Sequence, residues 1–454
     1  MSVPHIATRA SRKSIRIRVL TLAWPAIVDQ FLTMAVNMVD TAMVGRLGAA
    51  ALAAVGLGAQ VMMMATAVFS SVTTGTTALV ARFTGACEPE NARKTARQSL
   101  IFGGFLAFAS SLFFVLLADQ IVGVLFSRAE KDVMDGAALY VRIVGMGLIP
   151  QFLLIVTNSI LRGAGDTRTP MQITAIANVV NAVGNYFLIF GVGIFPRLGL
   201  AGAAIATTVA HIVAGILALR ALFGGKKAVA LSLRDDFRPN TEVLMRILNV
   251  GIPAGMEQGV MRVGQLLYTM ILSSLGTVAY AAHRIALQAE SLSFMPGFGF
   301  ALAATSLVGQ ALGAEEPEEA EYVGLEAARI AAIGMGLMGV IFLIFPRALV
   351  SVFTTDEAVI AQSAVVIRIV AVSQPFMALH MVLAGGLRGA GDTRTVMLVS
   401  LIGICGIRLA LTLLLVYLGW GLVGAWIAMT VDLVIRGSLL YWRFRQGRWK
   451  EVKV

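Results

Sequence analysis

The nine residues "LRGAGDTRT" at 161–169 occur a second time, letter for letter, at 387–395, which is 226 positions later. Each copy is basic, is interrupted by glycine and lies between two long apolar runs. An identical nonamer inside such different surroundings indicates that the chain around it has been duplicated.

Other segments recur at nearly the same spacing. "LVARFTGACEPENA" (79–92) corresponds to "LVGQALGAEEPEEA" (307–320), "YVRIV" (140–144) to "VIRIV" (366–370), and Pro25 to Pro253. Because the spacing stays nearly constant along the chain, we predict two copies of one fold.

The composition places this fold in a membrane. Of the 454 residues 58% are hydrophobic and 13% are charged, whereas soluble domains carry roughly 25% charged residues. Apolar runs long enough to cross a hydrocarbon core of about 30 Å recur throughout. We predict an all-α integral membrane protein with twelve transmembrane helices. The predicted spans lie near 18–44, 52–83, 96–118, 134–159, 170–194, 200–223, 246–273, 280–311, 325–346, 362–384, 396–418 and 420–442.

Six spans in each copy is an even number, so both copies enter the membrane from the same side. The two six-helix lobes are then parallel repeats, related by a pseudo-two-fold axis along the membrane normal. The predicted organisation is an N-terminal tail at 1–17, an N-terminal lobe at 18–223, a linker at 224–245, a C-terminal lobe at 246–442 and a C-terminal tail at 443–454.

Lysine and arginine concentrate in the two tails and the linker, and positively charged loops mark the cytoplasmic side of a membrane protein. We therefore expect a multi-pass protein of the inner (plasma) membrane with both termini cytoplasmic. The net charge of +11 sits at span ends and does not indicate a nucleic-acid partner. The N-terminus lacks the short apolar region and small-residue site of a cleaved signal peptide.

The repeated nonamer falls in the cytoplasmic connection between the fourth and fifth span of each lobe. Glycine supplies the left-handed position that ends one helix, and Asp-Thr caps the next. A tight turn explains the residue types, but identity at all nine positions favours a further shared role at a cytoplasmic gate. The gate residues we propose are Arg162, Gly163, Asp166, Arg388, Gly389 and Asp392.

Polar residues inside the spans are candidates for function, because a charge at the bilayer centre costs about 2.5–3.5 kcal/mol on insertion scales. Span 1 carries a polar stripe of Asp29, Thr33, Asn37 and Asp40, and span 5 carries one of Asn178, Asn181 and Asn185. The second-copy counterpart of Asp40 is Tyr268, so packing does not require an acid there.

The second copy carries other intramembrane charges. Glu257 is the counterpart of Asp29. Either Glu257 binds a cationic substrate or titrates, or Asp29 and Glu257 both lie near a span end in solvent. Asp432 and Arg436 are spaced to pair within one helix, while Arg408 has no acid one turn away in its own helix. His283 begins span 8, where we expect the outer surface.

The motifs together resemble one family. "NMVDTAMVGRLG" (37–48), "LRGAGDTRTP" (161–170) and "ESLSFMPGFGFALAATSLVGQALGA" (290–314) are similar to the multidrug and toxic compound extrusion (MATE) transporters, in particular to the DinF-like branch. The resemblance covers residues from about 18 to 445. It implies a V-shaped, two-lobed antiporter that expels mostly cationic, aromatic compounds against protons or sodium ions.

The resemblance also implies roles for residues. The aspartate of the "VDT" motif, here Asp40, would couple protonation to drug release. A polar cluster around it maps onto Asn181 and Asn185, with Thr207 as a weaker match, and we add the neighbouring Asn178. Archaeal relatives carry an aspartate where this chain has Asn185, which favours protons here without excluding sodium.

The sodium-coupled NorM branch has an essential span-7 glutamate where this chain has Met261, so Glu257 does not inherit that role. The candidate substrate-binding residues are Asp40, Asn37, Thr33, Asn158, Met34, Met38, Met64, Met256 and Glu257. Methionine suits such a surface because its side chain is flexible and polarisable.

We predict a proton-coupled efflux antiporter of small organic cations or drugs. We expect it to contact membrane lipids as a monomer, with no cofactor beyond the coupling ion and no metal. The alternatives are a sodium-coupled exporter, an organic-anion exporter using Arg408, a flippase for lipid-linked intermediates and a non-transporting scaffold. The sequence has no phosphate-binding G-x-x-x-x-G-K-[ST] motif and no nucleophile elbow, so we do not expect an enzyme or an ATP-driven motor.

Overall fold

A computed structural model describes residues 12–225, 228–232 and 234–452. Throughout these residues the regular structure is helical, which confirms the predicted all-α membrane protein. Residues 1–11 of the predicted N-terminal tail, 226–227 and 233 of the linker, and 453–454 lie outside the described residues.

The helices of the first copy follow the predicted order. They are α1 (Arg12–Gly45), α2 (Ala49–Gly85), α3 (Pro89–Leu116), α4 (Ala118–Leu125), α5 (Lys131–Met146), α6 (Leu148–Gly163), α7 (Arg168–Phe190) and α8 (Leu200–Phe223).

The second copy repeats this order, with one change in its fifth span. Its helices are α9 (Thr241–Ser273), α10 (Thr277–Gly313), α11 (Pro317–Ile344), α12 (Pro346–Ser351), α13 (Glu357–Ala371), α14 (Gln374–Ala390), α15 (Thr393–Leu401), a π-helical segment (Ile402–Leu409), α16 (Ala410–Tyr417) and α17 (Gly421–Gln446).

Eight helices of the described chain are long and apolar enough to cross a membrane, and the number is eleven if each of three bent pairs is one span. Adding α9, which is the predicted span 7, gives the twelve segments expected from the sequence. The short helices α4 and α12 occupy equivalent places after the third span of each copy.

Two spans predicted to be continuous are broken. The predicted span 134–159 is α5 followed by α6, with a bend of 54°, and the predicted span 362–384 is α13 followed by α14, with a bend of 58°. Pro150 and Pro375 lie in the first turns of α6 and α14. Proline is tolerated in a first turn and not within a helix, because it lacks the backbone N–H.

The chain forms two compact units, and neither unit coincides with one sequence copy. Each unit contains the first part of the leading helix of the other copy. The first unit is residues 28–255, and the second unit is the chain up to Ile27 together with the chain from Met256 onward. These units differ from the predicted lobes at 18–223 and 246–442. Each boundary falls two residues after a proline within a helix, Pro25 in α1 and Pro253 in α9.

Packing within each unit explains the exchange. In the second unit, Val19 and Ala23 of α1 are buried in a core formed with α10 and its neighbours, and a methyl group on Gly299 would lie 3.0 Å from the Ala23 carbonyl oxygen. In the first unit, a methyl group on Gly251 of α9 would overlap the Ser71 carbonyl oxygen. Small residues allow this close approach of helices.

The described parts of the predicted linker and C-terminal tail contact the helices beside them. Gln98 of α3 donates to the Arg238 carbonyl at 2.8 Å and accepts from the Asn240 backbone N–H at 2.9 Å, which fixes the linker ahead of α9. The predicted tail 443–454 begins inside α17, and after it Trp449 is buried against the Phe444 ring, 4.4 Å between centroids.

Candidate functional site

A polar cluster surrounds Asp40 in the first unit. Asp40 lies on α1 and is partly buried, and Asn185 of α7 donates to Asp40 Oδ1 at 2.5 Å. Asn181 lies one turn before Asn185, so both amides face α1, and both are buried. The two asparagines therefore supply hydrogen bonds to a carboxylate within the membrane.

Asn181 extends this cluster to α8. In the amide orientation that satisfies both of its ends, Asn181 donates to Asp40 Oδ1 at 2.7 Å and accepts from Thr207 Oγ1 at 3.3 Å. The structure thus brings together four residues predicted from sequence, on three helices: Asp40, Asn181, Asn185 and Thr207.

Tyr140 of α5 belongs to the cluster and was missed. Its side chain lies within electrostatic range of both Thr207 and Asp40. A methyl group on Gly58 of α2 would lie 2.6 Å from Tyr140 Cδ1, so this glycine provides the space for the ring. The signal in the sequence is the mismatch between "YVRIV" and "VIRIV", where the second copy has Val366.

Three other predicted polar residues lie outside this cluster, and two of them are bonded elsewhere. Asn178 donates to the Leu32 carbonyl of α1 at 2.8 Å, an interhelical bond one turn from the cluster. The Thr33 hydroxyl donates to the Asp29 carbonyl at 2.9 Å. Asn37 is exposed on α1. Thr33 and Asn37 therefore lie on the accessible face of the helix that carries Asp40.

The remaining candidate substrate residues are dispersed. Met38, Met64 and Met256 are more than half exposed, Met34 is partly buried, and Asn158 is buried within α6. Met64 lines an apolar groove of about 630 Å³ together with Phe113 and Phe114. Among the described residues, no hydrogen bond joins these side chains to Asp40.

The first nonamer forms a turn with specific partners. Arg162 donates to Asp29 Oδ2 at 2.6 Å, and Asp166 accepts from the Thr169 backbone N–H at 2.9 Å and from its hydroxyl at 2.6 Å. A methyl group on Gly163 would lie 2.9 Å from the Thr77 carbonyl oxygen of α2.

The second nonamer repeats each interaction. Arg388 donates to both oxygens of Glu257, at 2.7 and 2.9 Å, and Asp392 accepts from Thr395 Oγ1 at 2.7 Å. A methyl group on Gly389 would lie 2.1 Å from the Thr305 carbonyl oxygen. The predicted left-handed glycines are confirmed, with φ of +85° at Gly165 and +91° at Gly391.

These contacts correct the interpretation of Asp29 and Glu257. Both are almost fully buried, with 5% and 1% exposure, so a solvated position at a span end is wrong for each. Glu257 binds Arg388 and also accepts from Ser400 at 3.1 Å. Glu257 is therefore a partner of the second nonamer turn. These contacts explain why a buried acid lies there without invoking a bound substrate.

The second unit contains a polar centre of a different kind around Asp432 of α17. The predicted pair is confirmed: Arg436 Nε and Nη2 donate to Asp432, each at 2.8 Å. Arg408 donates to Asp432 Oδ2 from Nε at 2.9 Å, and its Nη2 lies 2.8 Å from the same oxygen. The partner of Arg408 is thus on α17, in the next span, where spacing within one helix does not reveal it.

Further polar side chains surround these three residues. His380 Nε2 lies 3.2 Å from Arg436 Nη1. Gln374 donates to Glu290 at 3.4 Å, and the Arg408 guanidinium carbon lies 5.8 Å from the centroid of the Tyr268 ring. Sequence reasoning missed Glu290 and His380, which are separated from their neighbours by tens of residues.

His283 is not at the outer surface as predicted. It is buried, with ring centroids 5.6 Å from Tyr268 and 5.7 Å from Trp426. His283 is therefore packed against aromatic rings on α9 and α17.

Comparison with known proteins identifies the family. Residues 25–187 and 253–414 match the MatE family, one segment in each copy. The chain is 33% identical to the probable multidrug resistance protein NorM of Thermotoga maritima, over 96% of this chain and 94% of that protein. It is 28% identical to the uncharacterised transporter YisQ of Bacillus subtilis, over 94% of each chain.

The fold agrees with this result. A solved structure of a multidrug resistance MATE family transporter in an outward-facing conformation has a TM-score of 0.88 at 25% identity, and 96% of each chain is covered. The duplicated helices, the match in both copies and these similarities lead to one conclusion: the chain belongs to the MatE family of multidrug efflux transporters and is not an enzyme.

Proposed function

We propose that this protein is a proton-coupled antiporter that exports organic cations, with Asp40 as the coupling residue. The observation that carries the proposal is the hydrogen bonding of Asp40 to Asn185 and Asn181. Asp40 lies on α1, and Thr33 and Asn37 of the same helix are exposed. Of the described residues in that cluster, Asp40 is the one acid.

Protonation would change the bonding of this cluster. As a carboxylate, Asp40 accepts hydrogen bonds from both amides, and Asn185 Oδ1 then has no partner among the described residues. As a carboxylic acid, Asp40 becomes a donor, and a turned Asn185 amide offers it that oxygen. A proton and a cationic substrate therefore compete for one negative charge, which is the exchange an antiporter requires.

The residue at position 185 supports protons over sodium as the coupling ion. Sodium is a hard cation that is held by several oxygen ligands, and a second carboxylate would favour it. Asn185 contributes an amide in place of that charge. Sodium coupling is the alternative within this proposal.

For the substrate, we propose that Thr33, Asn37, Met34 and Met38 line the approach to Asp40 on α1. Asn158, Met64 and Met256 stay predictions. The name of the Thermotoga maritima relative, a probable multidrug resistance protein, supports small organic drugs as substrates. The DinF-like branch, a monomeric state, lipid contacts, an inner-membrane location and cytoplasmic termini also stay predictions.

We further propose that the two nonamer turns act at the cytoplasmic gate. Each holds an arginine against a buried carboxylate of the helix that leads its copy, Arg162 with Asp29 and Arg388 with Glu257. These pairs fix α6 to α1 and α14 to α9 at the level of the turn.

The test uses the full chain in liposomes. Ethidium efflux is measured under a proton gradient alone and under a sodium gradient alone, for the wild type, Asp40→Asn and the control Asp132→Asn, an exposed acid of the same unit. We expect proton-driven transport in the wild type and the control and its loss in Asp40→Asn. Equal transport by Asp40→Asn would refute the coupling role, and transport under sodium alone would select the alternative ion.

A further inference from the structure

We propose that a groove on the second unit binds an anionic phospholipid of the surrounding bilayer, with Arg329 on the lipid phosphate. The lipid is a resident of the membrane-facing surface of this unit and not a transported compound. The groove belongs to the second unit and Asp40 to the first, so the proposal does not depend on the role of Asp40 in coupling.

The groove has a volume of about 480 Å³ and is lined by residues of α11, α14 and α17. Its walls are mostly apolar, with Leu325 and Ile333 from α11 and Leu379 from α14. The small side chain of Ala332 contributes to the depression between them. Ile333 is 56% exposed, so the groove opens at the surface. An open apolar groove along a membrane helix suits an acyl chain.

Two polar side chains line the same groove, Arg329 of α11 and Tyr441 of α17. Both residues are exposed. A guanidinium can bind phosphate oxygens through two parallel hydrogen bonds, and a tyrosine hydroxyl can donate to a phosphate or ester oxygen. The groove therefore combines an apolar surface for a chain with two donors for a headgroup.

The polar end of the groove lies at the level where the membrane meets water. Glu326 precedes Arg329 by one turn, whereas residues 330–344 of α11 carry no charge and extend over roughly 22 Å at 1.5 Å per residue. On α17, Tyr441 and the adjacent Trp442 are 44% and 63% exposed. Exposed tyrosine and tryptophan are enriched at the headgroup level of membrane proteins. Arg329 is thus placed to reach a lipid phosphate.

The charge of Arg329 is not compensated within the described part of the chain, where Arg329 forms no ion pair or hydrogen bond. Acids of the same helix are held by other basic residues: Glu319 by Arg18, Glu321 by Arg445 and Lys450, and Glu326 by Arg16. A cation at the edge of the hydrocarbon is unfavourable unless it is paired or reaches the interface. Basic pockets between membrane helices bind anionic headgroups for this reason.

The duplication shows that the fold does not require these two polar residues. Aligned on "LVARFTGACEPENA" (79–92) and "LVGQALGAEEPEEA" (307–320), Arg329 corresponds to Ile101. Aligned on "AGAAIA" (201–206) and "VGAWIA" (423–428), Tyr441 corresponds to Leu219. Both headgroup donors are therefore apolar in the first copy, which favours a role specific to the second.

The test is native mass spectrometry of the purified full chain in uncharged detergent, with phosphatidylglycerol and phosphatidylcholine that carry identical dioleoyl chains. We expect phosphatidylglycerol to bind more tightly, because its headgroup has no cation to oppose Arg329. Arg329→Gln should raise the Kd for the first phosphatidylglycerol at least about tenfold, which corresponds to about 1.4 kcal/mol. The matched control Arg262→Gln, an exposed arginine of α9 in the same unit, should leave that Kd unchanged.

An unaltered Kd in Arg329→Gln, an equal loss in Arg262→Gln, or equal binding of the two lipids would overturn the proposal. Arg329→Lys keeps the positive charge and should lose less affinity than Arg329→Gln; an equal loss would count against an electrostatic contact with the headgroup.

Two further measurements separate a lipid groove from a phosphate site. Ala332→Phe places a ring in the groove without altering Arg329 and should raise the Kd for both lipids; an unchanged Kd would show that no chain lies there. Glycerol 3-phosphate, which lacks acyl chains, should not displace phosphatidylglycerol, and displacement would identify a site for free phosphate instead. Asp40→Asn should bind phosphatidylglycerol like the wild type, so failure of the coupling proposal and failure of this one are distinguishable.

Discussion

Arg388 donates to both carboxylate oxygens of Glu257, at 2.7 and 2.9 Å, although the two residues are 131 positions apart in sequence. Arg162 holds Asp29 through one oxygen at 2.6 Å. The same contact, made once in each copy, explains why the arginine of the repeated nonamer is retained while the spans around it differ.

Arg388→Gln should destabilise the protein strongly. It leaves Glu257 as a buried carboxylate with Ser400 as its remaining partner, and breaking such a pair costs about 3–5 kcal/mol of unfolding free energy. The double variant Glu257→Gln/Arg388→Gln should lose much less than the two single variants together. Denaturant unfolding measures both, with Arg347→Gln, in an exposed pair with Glu357, as a control near zero. Additive losses would show that the two residues are not coupled.

Gly389→Ala should lower the melting temperature more than Gly163→Ala. The added methyl group would lie 2.1 Å from a carbonyl oxygen in the second copy and 2.9 Å in the first. Gly104→Ala in α3 meets open space and should be neutral or stabilising by up to about 1 kcal/mol, because alanine favours helix. A thermal unfolding series of the three variants gives the order, and an equal effect of all three would contradict the packing argument.

Asp392→Ala should destabilise the protein by more than the loss of a helix cap alone. The variant removes the cap, worth about 0.5–2 kcal/mol, and it also removes the acceptor of two hydrogen bonds from Arg443, at 2.8 and 3.1 Å. Charge-assisted hydrogen bonds add about 1.5–3 kcal/mol. Arg443→Gln in the Asp392→Ala background should have little further effect on unfolding free energy. A full second loss there would mean that Arg443 acts through another partner.

Asn185→Asp should create a response to sodium. The substitution places a second carboxylate against Asp40, at the 2.5 Å contact that Asn185 now makes, and paired carboxylates suit a hard cation. Ethidium efflux driven by a sodium gradient alone should appear in this variant and be weak in the wild type. Asn178→Asp is the matched control, because Asn178 bonds to the Leu32 carbonyl instead. A sodium response in both variants would show that the effect does not depend on a carboxylate next to Asp40 at position 185.

The features that could be predicted from the sequence are those that repeat between the two copies or that follow the spacing of one helix. The nonamer turn, the stripe of Asn181 and Asn185, and the pair of Asp432 and Arg436 all depend on residues that are close in sequence. The contact of Asp40 with span 5 came from the family resemblance and agrees with the geometry.

The contacts between distant helices were not predictable. Nothing near Arg408 in sequence indicates that Asp432 lies beside it, because helix packing brings them together. His283 illustrates the same limit: its place near a span start suggested the surface, but Tyr268 and Trp426 enclose it. The π-helical segment leaves no clear mark on hydropathy, since its apolar residues fit an ordinary span equally well.

The exchange of α1 and α9 between the units bears on how the protein can be divided. A cut at 224–240 separates the two sequence copies. Residues 12–27 would then stay on the N-terminal fragment, although they pack in the unit formed by the C-terminal one. Residues 241–255 would stay on the C-terminal fragment, although they pack in the unit formed by the N-terminal one. Neither fragment would hold a complete set of packing partners. The two halves should therefore assemble when produced together and aggregate when produced apart, so that an ancestral single copy would have needed a second chain to fold.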